Sequence, residues 1–346
     1  MNELVRTQLY PWQLSDWEQL RQYQNNNTIP HALLITGKEG LAKFSLAALW
    51  AKTLLCETIL PGSLSDTHTM ACGHCPSCEL FQAGTHPDYL CVEPSESGKA
   101  IKVDQIRDVV KFVSLTRTRS NIRVIIINPA EAMNVNAANS LLKTLEEPPE
   151  NTVLILLSSN NHSLPATIHS RCQHMSISSI KLSELRSWLA ENGEHSFDEL
   201  DLALSIAENV PLKAQFYLDS SIYAVNKDLL TDWQLLALGQ AKPSTITEKW
   251  LKQPDNLPIK LVYTWVVDMI RYHSTVINEI DDIEREIFYH KNNQQLINLA
   301  GSIPLKRLFG MYDKVIDILK LQHTSLNKQL QLESLLIQWS LIAQSK

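Results

Sequence analysis

Glycine is scarce in this chain, at 10 of 346 residues. Tight turns favour glycine, so the shortage points to a mostly helical protein with few of them. Long apolar runs are also missing. Runs such as residues 124–127 and 153–157 are strand-length and fall far short of the roughly 20 residues of a membrane span. The opening MNELVRTQLYPW holds no apolar stretch of the kind a secretory leader carries, so a cytoplasmic protein is expected. Nor is there a basic excess. Lys and Arg number 31 against 37 Asp and Glu, a net charge of −6 with His neutral. A protein that grips DNA by itself usually shows the opposite balance. Any nucleic-acid contact is therefore expected to be shared with partners or confined to a local patch.

A length of 346 residues suits two or three domains, and 44% hydrophobic with 20% charged residues suits ordinary globular cores. The first half alternates. Residues 31–36, 88–93, 122–127, 152–158 and 173–177 read as strands, and 41–56, 103–115 and 136–146 as helices. In the second helix Val103, Ile106, Val110 and Val113 recur at helical spacing. Apolar strands separated by helices imply a parallel sheet covered on both faces. Past residue 178 the strand pattern stops. Residues 181–192, 197–208 and 211–219 read as short helices, and everything from 222 onward is helical. Three stripes mark the later helices: Val262, Trp265 and Met269; Leu305, Leu308, Tyr312, Val315 and Leu319; Leu332, Leu335 and Trp339. Three domains are expected: an α/β domain over 1–178, a small helical domain over 179–220 and a helical domain over 221–346.

The first strand runs into Gly37-Lys38-Glu39-Gly40-Leu41-Ala42-Lys43-Phe44-Ser45. A working phosphate loop reads G-x-x-x-x-G-K-[ST] at such a strand-to-helix junction. Gly37 and Lys43 are in place, with Gly40 between them. Ala42 replaces the glycine before the lysine and adds a Cβ where backbone should wrap a phosphate. Phe44 replaces the hydroxyl that ligates Mg²⁺. A nucleotidase also needs a carboxylate pair at the end of a later strand. After 124–127 stand Asn128 and Pro129, one neutral and one without a side-chain base. Losses at the phosphate, metal and water positions together predict no hydrolysis and no bound ATP.

Six cysteines are present, and Cys72, Cys75 and Cys78 form C-x2-C-x2-C. In a reducing compartment such a cluster means metal rather than disulfides. Tetrahedral zinc needs four ligands, and Cys56, at the end of the preceding helix, is the first candidate for the fourth. Cys91, His68, His74 and His86 are lesser ones. An iron–sulfur cluster also needs four ligands and stays open at this point. A closed site of four cysteines is structural, because catalytic zinc keeps an open position. It is expected to hold an inserted module at about residues 56–91.

Several stretches together carry a resemblance: His31-Ala32-Leu33-Leu34, the cysteine insertion, Gly84-Thr85-His86-Pro87-Asp88, Leu141-Leu142-Lys143-Thr144-Leu145-Glu146-Glu147-Pro148-Pro149, and Ser170-Arg171-Cys172. The chain resembles the AAA+ clamp-loader subunits of bacterial DNA polymerase III, well over about 1–220. The likeness is weaker toward the C-terminus, where residues 326–339 are similar to that family's last collar helix. The resemblance implies an AAA+ phosphate-loop-like α/β domain, a helical lid and an all-α collar that joins a hetero-oligomer. The gamma/tau members keep an intact phosphate loop and an Asp-Glu pair. This chain has neither, so it resembles the family's non-hydrolysing stator branch. Its lid carries Leu212, beside Lys213, where gamma-type members have an arginine. The implied partners are gamma/tau and delta subunits, the sliding clamp and primer-template DNA. Arg171, flanked by Ser170 and Cys172, matches an arginine finger that acts in trans on a neighbour's ATP. Two alternatives stay open: an active gamma-like ATPase, and a zinc-dependent DNA-binding module on a vestigial ATPase fold. Glu146 and Glu147, before two prolines, are expected to end a helix and make local pairs. Lys99, Lys102, Arg117, Arg119 and Arg123 are expected on a solvated surface.

Overall fold

Three of the strands are apolar through their middles, on both faces, so each needs cover on both sides. In the computed structural model they lie at the centre of one sheet. It describes residues 9–58, 70–96, 98–159, 164–177, 180–254, 256–277, 294–321 and 327–344. Every residue of β1 (Ala32–Thr36), β3 (Arg123–Ile127) and β4 (Thr152–Ser158) is buried. β2 (Tyr89–Val92) and β5 (Gln173–Ser176) form the edges, in the order β2-β3-β4-β1-β5. All pairings are parallel, with Leu34 opposite Leu156 on one side and His174 on the other. The segments after β1, β3 and β4 therefore emerge at the same end of the sheet, where open parallel sheets place their ligands.

Helices cover the sheet. α1 (Leu14–Asn25) follows a short 3-10 turn, Pro11–Gln13. α2 (Lys43–Leu55) is almost wholly buried, its small Ala47, Ala48 and Ala51 alternating with Leu46 and Trp50. α3 (Pro76–Gln82) is one short helix inside the cysteine segment. α4 (Val103–Ser114) and α5 (Val135–Glu146) pack into one apolar core with β1, β3 and β4, and α6 (Ala166–His169) adds Ile168 to it. The inward stripe of α4 is Ile106, Val109 and Val113; Val110, expected on it, is 38% exposed. Both 109 and 110 lie one turn from 106 and 113, and the valine pair left the phase undetermined.

The helical half comprises α7 (Leu182–Glu191), α8 (Phe197–Ile206), α9 (Pro211–Asp219), α10 (Ile222–Ala237), α11 (Pro243–Trp250), α12 (Leu257–Ile277), α13 (Gln294–Ser302), α14 (Leu305–Lys320) and α15 (Lys328–Gln344). Trp233, Trp250, Trp265 and Trp339 cluster at its centre, each at most 1% exposed. Trp233 stacks on Trp339 at 4.1 Å between ring centroids. The indole N–H of Trp339 donates to Trp233 O, that of Trp265 to Asn226 Oδ1 and that of Trp250 to Asp232 Oδ2. Val262, Trp265 and Met269 are buried, as are Leu332, Leu335 and Trp339. On α14 the buried set is Leu308, Met311, Val315 and Ile318, with Leu305, Tyr312 and Leu319 only half-buried beside it. The expected stripe is rotated because Met311 and Ile318 pack as well as their neighbours. The chain divides into two compact units, residues 1–181 and 182–346. Among the described residues no helix is long and apolar enough to cross a membrane.

Candidate functional site

β1 ends where the loop 37–42 begins, and α2 starts at Lys43, two residues later than the sequence pattern suggests. The delay lies in Ala42, the residue before the helix, which is left-handed at φ 57°, ψ 35°. That conformation is natural for glycine and strained for alanine. Ala42 thus holds a turn in which glycine would be unstrained. Lys43 is buried, and its Nζ donates to Gly37 O at 2.6 Å, Lys38 O at 3.0 Å and Ser159 Oγ at 3.4 Å. The ammonium group that a phosphate would need is turned onto the loop's own carbonyls. Phe44 is half-buried and offers no oxygen to a metal.

A brace from the N-terminal segment holds the loop from behind. Gln13 is fully buried; its Nε2 donates to Leu41 O at 3.0 Å and Ala42 O at 2.9 Å, and its Oε1 accepts from Tyr10 N–H at 3.3 Å. The Trp12 indole N–H donates to Leu41 O at 3.2 Å. Sequence reasoning passed over Gln13, because glutamine is usually a surface residue and nothing local marks this one.

At the end of β3, Asn128 donates from Nδ2 to Glu93 Oε1 at 3.1 Å, and its peptide bond to Pro129 is cis. A carboxylate does reach this region, from a residue not singled out in the sequence. Glu131 Oε1 accepts from Ser159 N–H at 2.8 Å, beside the hydroxyl that Lys43 touches.

The thiols of Cys56, Cys72, Cys75 and Cys78 all lie within 4.8 Å of one another. Cys56 follows α2, Cys75 caps α3 and Cys78 lies one turn into it. The Sγ–Sγ distance is 3.9 Å for Cys56 and Cys75 and 4.0 Å for Cys72 and Cys78. Zinc–sulfur bonds of ~2.3 Å in a tetrahedron put sulfurs ~3.8 Å apart, so the set fits a closed tetrahedral ion. Backbone N–H groups point at two of the sulfurs, Cys72 N at Cys56 Sγ and Cys75 N at Cys72 Sγ, as suits thiolates. Burial would raise the Cys75 thiol, but N–H groups of Cys78 and Glu57 and the neighbouring thiols outweigh it and hold it at about 6. Burial pushes Cys78 far the other way. Thiols crowded at one centre diverge in this manner, and a cation there removes the conflict.

The remaining candidate ligands lie elsewhere. His74 is exposed, with Nδ1 against Cys72 O. His86 is buried, accepting from Asp88 N–H at Nδ1 and meeting Ser77 Oγ with Nε2 at 3.0 Å. Cys91 is half-buried in β2, away from the cluster, and His68 lies outside the described residues. The Gly-Thr-His-Pro-Asp stretch has a structural task instead. Asp88 accepts from the N–H groups of Thr118, Arg119 and Ser120 at 3.0, 2.8 and 2.9 Å. Burial would raise its carboxyl, and these donors more than offset that, holding it below the ordinary range.

Arg171 stands in the turn between α6 and β5, with its side chain one-third exposed. Nη2 meets Glu146 Oε1 at 2.6 Å, and Nη1 donates to Thr167 O at 3.0 Å and Ser170 Oγ at 3.2 Å. Cys172 packs against the sheet core, where burial pushes its thiol up to about 11. Gln173 is level with Leu33, so Arg171 lies at the start of the strands and the phosphate loop at their ends. At 3.3 Å per residue the separation along the strand is roughly 15–20 Å. Arg171 is out of reach of its own loop. Glu146 ends α5, as expected of it.

Of the basic residues expected on a solvated surface, Lys99, Lys102, Arg117 and Arg119 are exposed. Lys99 pairs with Glu96, Arg119 with Glu57, and Arg117 donates to Glu150 O. Arg123 corrects the expectation: it is 2% exposed, begins β3 and donates to Val113 O and Leu115 O. Its guanidinium closes the end of α4, lying over the Phe112 ring.

The profile of the family described as DNA polymerase III, delta subunit, matches residues 12–181. The delta-prime subunit of DNA polymerase III from Pseudomonas aeruginosa is 34% identical over 96% of this chain and 97% of its own length. That from Haemophilus influenzae is 29% identical over 86% of this chain and 89% of its own. Among solved structures, a gamma subunit-related protein of Thermotoga maritima matches with a TM-score of 0.50 at 18% identity, covering 95% of this chain and 99% of the other.

Proposed function

The chain belongs to the family of DNA polymerase III delta-prime subunits, AAA+ proteins of the bacterial clamp loader, and we propose that it assists a neighbour's ATP hydrolysis without hydrolysing ATP itself. The observation that carries this is the filled loop. Lys43 is bound to Gly37 O, Lys38 O and Ser159 Oγ. A nucleotide would have to displace those contacts and would then find no hydroxyl at Phe44 and no acid at Asn128 or Pro129. Net hydrogen bonds to charged groups are worth about 1.5–3 kcal/mol each, so the displacement is costly.

Arg171 serves outward. Its distance from the chain's own loop and its partial exposure suit it to an ATP held by an adjacent gamma/tau subunit. There the guanidinium offsets charge that develops on the γ-phosphate, an effect worth roughly 10³–10⁵ in rate. In this proposal residues 179–220 act as the lid and 221–346 as the collar that joins gamma/tau and delta. Clamp and primer-template DNA are met within that assembly. Zinc at Cys56, Cys72, Cys75 and Cys78 is structural: four thiolates close the coordination shell and leave no position for substrate.

The test mixes this chain with an ATPase-competent gamma subunit and delta. Arg171→Ala is expected to lower clamp- and DNA-stimulated hydrolysis while assembly stays intact. Unchanged hydrolysis at saturating subunit removes Arg171 from the mechanism. Tight MgATP binding with turnover by the isolated chain identifies an active ATPase instead. DNA binding by the lone chain with steep salt dependence identifies a DNA-binding module.

A further inference from the structure

We infer that Glu146 is a positioning residue for Arg171; this rests on the proposed trans role of that arginine. Both residues stand on backbone anchored in the sheet core, Arg171 between Ile168 and Cys172, which pack into it. Glu146 is the last residue of α5, and Ala138, Leu141 and Leu145 of that helix are buried in the sheet core. Its backbone is thereby fixed to the body of the domain. Arg171 follows a helix of only four residues and sits in a turn. Two of the three contacts of its side chain, Thr167 O and Ser170 Oγ, are local, within four residues of it. The third, from Nη2 to Glu146 Oε1 at 2.6 Å, ties the guanidinium to the core.

An arginine on a flexible stem samples many rotamers, and a group that acts at a distance on a phosphate needs a narrow set of them. Glu146 selects that set. Its side chain is 49% exposed and that of Arg171 33%, so the pair is solvated and contributes little to folding. The same weakness lets a polyphosphate displace the carboxylate at the moment of use, because the contact is one oxygen on one side of the guanidinium. Glu146 also explains a local sequence feature: Glu147-Pro148-Pro149 ends the helix immediately after it, so the carboxylate projects from a helix end toward the turn that holds Arg171.

The reconstituted complex tests this with three variants beside Arg171→Ala. Glu146→Ala is expected to lower stimulated kcat about fivefold, the rate equivalent of an exposed ion pair at its upper worth. KM for ATP, assembly and the unfolding midpoint should stay unchanged. Glu146→Gln keeps an acceptor oxygen of equal reach and should lose less. The double variant Glu146→Ala/Arg171→Ala should be no slower than Arg171→Ala alone. If Arg171→Ala slows the complex and Glu146→Ala does not, the positioning role is overturned while the trans role stands. A further loss from Glu146→Ala in the Arg171→Ala background, or a faster complex with Glu146→Ala, overturns it equally. If Arg171→Ala has no effect, both fall.

Discussion

Replacing Ala42 by glycine is expected to strengthen the fold without restoring nucleotide binding. Ala42 sits at φ 57°, ψ 35°, where an L-residue is disfavoured by roughly 1–2 kcal/mol. Glycine removes that strain but frees the unfolded chain, which offsets roughly 0.4–1 kcal/mol of the gain. The net expectation is a stabilisation of about 0.5–1 kcal/mol. The same swap at Ala138, within α5 and 2% exposed, should cost about 1 kcal/mol or more through helix propensity and a lost buried methyl. One substitution type with opposite signs in one domain isolates the backbone as the cause. Denaturant unfolding followed by circular dichroism reads both midpoints. A loss of about 1 kcal/mol or more at Ala42 refutes the account of the left-handed turn. Titration of the Ala42→Gly protein with MgATP by calorimetry reads the second half of the expectation. Lys43 keeps its contacts to Gly37 O, Lys38 O and Ser159 Oγ, and Phe44 still lacks a hydroxyl. Micromolar binding would show that the missing glycine alone silenced the loop.

Three further outcomes are expected. Gln13→Ala removes the donor shared by Leu41 O and Ala42 O and should cost about 2 kcal/mol or more, since each lost hydrogen bond is worth about 1 kcal/mol and a small cavity is added. A midpoint unchanged in denaturant shows the brace to be idle. Gently purified protein should carry one zinc per chain by elemental analysis, and a chelator should strip on the order of 10 kcal/mol from the folding of the module around α3; a metal-to-protein ratio near zero rejects the site. Burial pushes the Asp268 carboxyl up to about 7 against the pull of Arg271. The folded state then keeps a proton that the unfolded chain releases near pH ~3.9, so this contribution is intact below that pH and is lost as pH rises toward 7. Asp268→Asn should gain stability relative to the parent between about pH 4 and 7 and hold the difference above it; a constant difference across that range refutes the shift.

The sheet was legible because β1, β3 and β4 are buried on both faces and therefore read as near-continuous apolar runs. The strand-to-helix turn at residues 37–42 was legible because its signature resides in residue types at fixed spacing. Less visible were features that depend on a long-range partner. Gln13 meets Leu41 and Ala42 only after the chain has folded back. Arg123 looks like any surface cation until β3 carries it beneath the end of α4. The pairing of Arg171 with Glu146 joins residues far apart in sequence. On α4 the phase was open because Val109 and Val110 are identical side chains one position apart. The N-terminal helix α1 escaped notice because its sequence is polar on most sides, with only Asp16, Trp17 and Leu20 buried.

The stacking of Trp233 on Trp339 bears on how this protein is made. The Trp339 indole reaches back 106 residues to Trp233 O. A ribosome adds roughly 5–20 residues per second, so a nascent helical unit spends on the order of 5–20 s with Trp233 synthesised and Trp339 still to come. Through that interval the face of Trp233 that stacks on Trp339 has no α15 to cover it. The first 181 residues can already be compact, because their sheet closes with β5. Cells short of chaperone capacity should therefore lose this chain through its helical half, and nascent chains stalled before α15 should be the species that chaperones hold.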